Sequence, residues 1–291
     1  MKRLFRWLGF LFTLAVGGVL ALVAMRVWDD GGTFSGQPRI GVVEVEGFIA
    51  DPTHVTATLR ALRNEPEIKA VVLKVNSPGG VIAPSQEIHD EVRRTADVKP
   101  VVVAMGALAA SGGYYLSAPA TRIVANPGTA TGSIGVILQF NEVHLLFDKL
   151  GLRSRTVKSG AMKDAGSPFR EMTDADRAAF QALIDDLFDQ FVTAVAEGRK
   201  LEPDAVRRLA DGRVYSGRQA LELGLVDQLG NFWDAVALAQ ELGKMTGEPV
   251  LDYRRKRSSG LLHWALGEDA AALEPLQAAA APAFRYALPS W

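Results

Sequence analysis

Ser111 stands in Gly106-Ala107-Leu108-Ala109-Ala110-Ser111-Gly112-Gly113-Tyr114-Tyr115, a serine among small residues that follows the apolar run Val101–Met105. Small neighbours permit a sharp turn and close approach of a reactant, and a helix N-terminus just beyond favours a developing anion. Nucleophilic attack by the hydroxyl is the chemistry this setting allows, although the same serine could simply cap the next helix. The pattern is not GxSxG, because Ala109 replaces the first glycine. A second turn, Asn76-Ser77-Pro78-Gly79-Gly80, closes the apolar run Ala70–Val75. Pro78 fixes one backbone angle, and the paired glycines let the chain turn with its amides exposed. Such a turn could lend one backbone N–H to an oxyanion hole, with the Gly112 N–H as the other.

A serine nucleophile needs a base. The four histidines, His54, His89, His144 and His263, are scattered, and none lies in a glycine-rich or loop setting close to these turns. Lysine is the alternative. An ordinary lysine, with a reference pKa near 10.4, is only roughly 0.1% neutral at pH 7.4, so a lysine base requires burial to depress it. Val157–Arg170 offers two, Lys158 and Lys163, in a glycine-rich connection, and either could instead be a surface lysine.

These residues need a scaffold. From Ile40 the chain alternates between short β-branched runs (Ile40–Val45, Ala70–Val75, Val101–Met105) and segments with helical spacing (Thr53–Asn64, Ser85–Thr95). That order predicts a parallel α/β sheet with right-handed crossovers. Further strands are expected near Arg122–Ala125, Ser133–Gln139, Arg153–Lys158 and Leu225–Gln228, with helices at 141–150, 204–209, 216–223 and 231–242. Thr173–Gly198 reads as a long amphipathic helix with a capping threonine and an apolar stripe from Leu183 to Val195. After Gly243 the pattern decays into a tail with a basic cluster, Arg254–Arg257, and an Ala/Pro-rich stretch, Ala278–Ala283. Those small side chains make the tail a candidate self-substrate; a membrane-touching tail is the competing reading.

Composition excludes several classes. The 291-residue chain has net charge −1, which gives no electrostatic case for nucleic acid. It has no cysteine, which removes disulfides and thiolate chemistry, and no histidine motif suited to a metal. At the N-terminus, Lys2, Arg3 and Arg6 precede an uncharged run from Trp7 to Met25. Nineteen helical residues span roughly 28 Å, about the thickness of a bilayer's hydrocarbon core. The charge bias predicts a single-pass anchor in the cytoplasmic membrane, N-terminus inside and the remainder extracytoplasmic. A cleaved signal peptide fits less well, because no clean small-x-small site precedes Arg26. The expected layout is a cytoplasmic N-terminus at 1–6, an anchor at 7–27, a linker at 28–39, one catalytic domain at 40–243 and a variable tail at 244–291.

Taken together, NSPGG (76–80), MGALAASGGYY (105–115), TGSIGV (131–136), KSGAMKDAGSPFREMT (158–173) and DGRVYSGRQALELGLVDQLG (211–230) resemble the signal peptide peptidase A family in its short, single-domain form. The resemblance implies a Clp protease/crotonase-like fold and a serine endopeptidase with a Ser/Lys dyad that degrades remnant signal peptides. Ser111 matches the nucleophile and Lys163 the base, with Ser133 orienting that lysine and Gly80 and Gly112 supplying oxyanion N–H groups. Extended substrates would pair with the edge at Val81 and Ile82. No metal or organic cofactor is implied, and short forms are expected to be homo-oligomeric rings whose active sites are shared between protomers. Met162 departs from the family, which often places a polar residue before the lysine. A membrane protease with another substrate would share every motif. A crotonase-like acyl-CoA enzyme would share the fold but have no need of Ser111 with Lys163.

Overall fold

The computed structural model describes residues 17–18, 37–254 and 285–287. The chain divides into two units, Met1–Gln37 and Pro38–Trp291, and the fold reported below belongs to the second. The run expected to span a membrane lies outside the described residues except for Gly17 and Gly18. Among the described residues no helix is long and apolar enough to cross a membrane.

An eight-stranded sheet organises the second unit. Strands β1 (Arg39–Glu46), β2 (Ile68–Ser77) and β4 (Val101–Ala110) run parallel, with β9 (Val250–Arg254) added parallel to the outer side of β1. The other edge of β4 is shared. Its first half pairs with β5 (Arg122–Ala125), and its last three residues pair with β6 (Ala130–Gly132). Beyond them lie β7 (Val214–Ser216), antiparallel to β6, and β8 (Gln228–Leu229), parallel to β5. A short strand, β3 (Gly79–Val81), leaves the sheet and pairs antiparallel with β10 (Arg285–Ala287).

Both faces of the sheet are covered, which is why its strands read as nearly continuous apolar runs. Val71, Leu73 and Val75, with Val101, Val103 and Met105, face a large core closed by helices α1 (Thr53–Asn64), α2 (Ile82–Ala96), α3 (Gly112–Ser117) and α5 (Asp174–Arg199). The alternate residues Ala70, Val72, Val102 and Ala104 face a smaller core under Ala235, Val236 and Ala239 of helix α8 (Phe232–Leu242). Helices α4 (His144–Lys149), α6 (Pro203–Leu209) and α7 (Gly217–Glu222) complete the described residues.

Five expectations need correction. Ser133–Gln139 is not a strand, because Ser133 turns to φ 49° and ends β6 at Gly132. Arg153–Lys158 is exposed throughout and pairs with no described strand. The strand expected at Leu225–Gln228 shrinks to Gln228–Leu229, since Leu225 N–H returns to Ala220 O at 2.8 Å as a turn. The apolar stripe of α5 is only half used: Phe191, Val192 and Val195 are buried, whereas Leu183 is 39% exposed. That helix ends at Arg199, with Lys200 in the left-handed conformation. Gly198 serves a different purpose, since a Cβ there would lie 2.4 Å from Ala118 O, just beyond α3. Order also extends past Gly243, where β9 adds to the sheet.

Candidate functional site

The two turns singled out in the sequence lie side by side. In the β2–β4 ladder Ser77 is opposite Ala109, so both strands reach their carboxyl ends together. Ser77 is fully buried; its hydroxyl donates to Gly47 O at 2.6 Å and accepts from Gly79 N–H at 3.1 Å. The hydroxyl thereby fixes the turn through Pro78 that launches β3. Ile49 N–H donates to Gly79 O at 3.0 Å, and Val81 N–H donates to Ile49 O at 2.8 Å. By the alternation of a strand, Gly80 turns its own N–H and C=O to the opposite edge, where it pairs with Tyr286 of β10. A Cβ on Gly80 would stand 2.1 Å from Ile49 O, so no side chain fits there.

Ser111 follows β4 directly. Its N–H donates to Gly132 O at 2.8 Å, and its backbone takes φ 54°, ψ −115°. Positive φ at a non-glycine residue costs about 1–3 kcal/mol and persists only where the surroundings impose it. Ser111 sits at the N-cap of α3, yet its side chain caps nothing, so the structural role open to it in the sequence is unused. The Gly112 N–H belongs to the helix's first turn, whose donors have no partner within the helix.

Ser133 lies one residue past the Ala110–Gly132 pair that ends the β4–β6 ladder. It is 7% exposed, at φ 49°, and its N–H donates to Arg213 O at 2.9 Å. The fold therefore gathers Ser111, Gly112, Ser133 and the Gly79–Val81 edge at one end of the sheet. Ile82 is different. It begins α2 and is 5% exposed in the core, so the strand edge stops at Val81.

Lys163 is not brought to this cluster by any hydrogen bond. It sits on a single 3-10 turn, Ala161–Asp164, and is exposed, and its side-chain amine has no hydrogen-bond or ion-pair partner among the described residues. Lys158 is committed elsewhere: its ammonium donates to Ala161 O at 2.8 Å and to Asp164 Oδ1 at 2.5 Å. Neither His54 on α1 nor His89 on α2 hydrogen-bonds to Ser111. His89 is buried against Tyr115, ring centroids 4.8 Å apart, and burial lowers its pKa in spite of Asp90. Burial also pushes the Tyr114 phenol up, and its hydroxyl donates to Leu225 O at 2.9 Å.

Sequence reasoning passed over the supports. Thr129 and Thr131 donate to Gly106 O and Ala109 O at 2.7 and 2.6 Å, strapping the end of β4. Asn76 Oδ1 accepts from Leu108 N–H at 3.2 Å. A serine two residues before a glycine is a recognisable turn signal, and Ser77 could have been found that way. Two replacements test the turn. Gly80→Ala keeps the backbone N–H but its Cβ would collide with Ile49 O, so it is expected to displace the turn and, where that N–H serves the oxyanion hole the resemblance implies, to cut kcat on a peptide substrate by about 10²-fold. Ser77→Ala, which leaves the glycines in place, should cost less. Equal kcat for Gly80→Ala and wild type would remove this turn from the site.

The profile of peptidase family S49 matches residues 93–246, and that of Clp protease matches residues 43–130. A Synechocystis protein named as a protease, slr0021, is 42% identical over 218 residues, covering 74% of this chain and 78% of that protein. An Enterococcus faecium protein named for signal peptide peptidase SppA is 39% identical over 221 residues, 76% of this chain and 64% of its own length. Protease 4 of Salmonella typhi is 40% identical over 227 residues, 75% of this chain but 36% of its own length.

Proposed function

The chain belongs to peptidase family S49, the SppA-type serine peptidases, and from that premise we propose that Ser111 is the nucleophile and Lys163 the general base of a membrane-anchored endopeptidase. The observation that carries this reading is the contrast between the lysines: Lys158 is bound to Asp164 and Ala161 O, while Lys163 keeps its amine uncommitted. Ser111 Oγ attacks the scissile carbonyl as the Lys163 amine takes its proton. The oxyanion is met by the Gly80 and Gly112 N–H groups. The same amine returns the proton to the leaving nitrogen, then activates the water that releases the acyl group from Ser111. Ser133 orients the amine.

The substrates proposed are remnant signal peptides and other membrane-associated peptides, bound as an added strand on the Gly79–Val81 edge. The pairing of β10 with that edge supports this mode, because it puts an extended segment of the chain's own tail, antiparallel, where a substrate would lie. The same pairing favours the tail as a self-substrate. Anchorage by residues 7–27, with the catalytic domain extracytoplasmic, completes the proposal.

The reading also places the dyad between copies of the chain in a ring. None of residues 135–175 is buried, although the segment carries Leu145, Leu146, Leu150, Leu152, Val157 and Met162 on its surface. Val157 is fully exposed. Apolar exposure on this scale marks an association surface, and a second copy seated there would also bring Lys163 to a neighbour's Ser111.

Peptides cut by the purified protein, identified by mass spectrometry, test the activity. Ser111→Ala and Lys163→Ala should each lower turnover by roughly a thousandfold or more, whereas Lys158→Ala should retain substantial activity. Reversed lysine phenotypes would move the base to Lys158. C-terminal mass tests the tail: wild type should be shortened relative to Ser111→Ala, and equal intact masses would dismiss self-cleavage.

A further inference from the structure

No residue between 135 and 175 is fully buried, and the apolar contacts near the turn that carries Lys163 are partial: Phe140 lies over Gly166 and against Phe180 of α5, and Phe147 packs on Phe169. A series of ion pairs adds to them. The anchor is the N-terminus of α5, where Thr173 and Asp176 form a reciprocal capping box: Asp176 N–H donates to Thr173 Oγ1 at 3.2 Å, and Thr173 N–H to Asp176 Oδ2 at 3.1 Å. The Asp176 side chain is only 2% exposed and accepts from Arg170 Nη1. Arg170 Nη2 donates in turn to Asp164 Oδ1 at 3.0 Å, and Lys158 closes the series on that same oxygen at 2.5 Å. The pairs run Asp176–Arg170–Asp164–Lys158, and Asp164 is the residue next to Lys163. Backbone bonds, Lys163 N–H to Gly160 O at 3.1 Å and Ser167 N–H to Asp164 O at 3.0 Å, complete the turn.

Resting on the reading of Lys163 as base, we propose that Asp164 and Arg170 are positioning residues with two linked duties. They fix the Lys163 turn to the cap of α5, and they keep the Asp164 carboxylate occupied so that it does not become a counter-ion for the Lys163 amine. A free carboxylate beside an amine favours its protonated form and so weakens it as a base. Hydrogen bonds from Arg170, then Lys158, hold the Asp164 carboxyl down at about 2. The clamp is therefore complete above the ordinary carboxylate range near pH 4 and is lost only as pH falls through about 2. Throughout the pH range in which a lysine base works, the clamp is intact.

The two duties separate in two variants. Arg170→Ala breaks the tie to α5 and leaves Asp164 with Lys158 as its remaining partner, so one carboxylate oxygen can turn to Lys163; kcat should fall and the midpoint of the alkaline rise in kcat/KM should move up by roughly half a pH unit. Asp164→Asn breaks the clamp without leaving a carboxylate, so kcat should fall with no alkaline shift. The double variant should behave as Asp164→Asn. KM should stay within about twofold in all three, since none of these groups touches the substrate edge. Added guanidinium should partly restore Arg170→Ala and leave Asp164→Asn unchanged. The proposal is overturned if Arg170→Ala keeps the wild-type kcat and pH profile, or if both single variants show the same profile. An active Lys163→Ala protein would instead sink the assignment of the base. Should Arg170→Ala fail to fold, the comparison passes to Arg170→Lys, which keeps one donor and should show a smaller shift in the same direction, whereas a wild-type profile beside an impaired Asp164→Asn would count against the second duty.

Discussion

The backbone bond from Ser111 N–H to Gly132 O is the constraint on which the site depends. It ties the ends of β4 and β6 at the point where both chains turn, and both serines that follow take positive φ. The strain at each is about 1–3 kcal/mol. The Thr129 and Thr131 hydroxyl bonds to β4, worth about 1 kcal/mol each, offset part of it. Close packing supplies more: Gly113 approaches Ser77 O, and Gly198 approaches Ala118 O so tightly that neither position has room for an unhindered Cβ. A serine at the mouth of a short helix is left with a side chain that caps nothing, because its neighbours hold it at positive φ.

What the sequence made legible follows from this. The strands Val101–Met105 and Ala70–Val75 are apolar because both faces are covered, and the turns after them are rich in small residues because two chains meet there. Both signals are local, so Ser111, Gly112 and the Gly79–Gly80 turn could be located from the residues alone. Ser133 was recognised through its motif, although its strand was misplaced: a buried residue at positive φ ends a strand, and composition does not report φ. Ile82 was placed on the edge together with Val81, as part of the substrate mode that goes with the resemblance. Its helix begins there, and the core claims its side chain.

The lysine was not legible from residue types. Lys158 and Lys163 share a glycine-rich connection, and only the structure shows that Asp164 has taken one of them. The absence of any buried residue between 135 and 175 was equally hidden, since the segment reads as strands at 133–139 and 153–158 and a helix at 141–150. The N-terminal half of α5 misled in the same way, its stripe continuing past the point where the core of one chain ends. These are places where an apolar sequence pattern is not matched by burial within the described residues.

The account's central claim is that one chain supplies Ser111 and a neighbour supplies Lys163. The most direct measurement uses Ser111→Ala and Lys163→Ala proteins, each inactive alone, refolded together in equal amounts. Random head-to-tail assembly pairs an intact serine with a neighbour's intact lysine in about one site in four, so activity should recover to roughly a quarter of wild type. A mixture as inactive as its components, with exchange of subunits demonstrated separately, would put both residues of each site in a single chain and contradict the account.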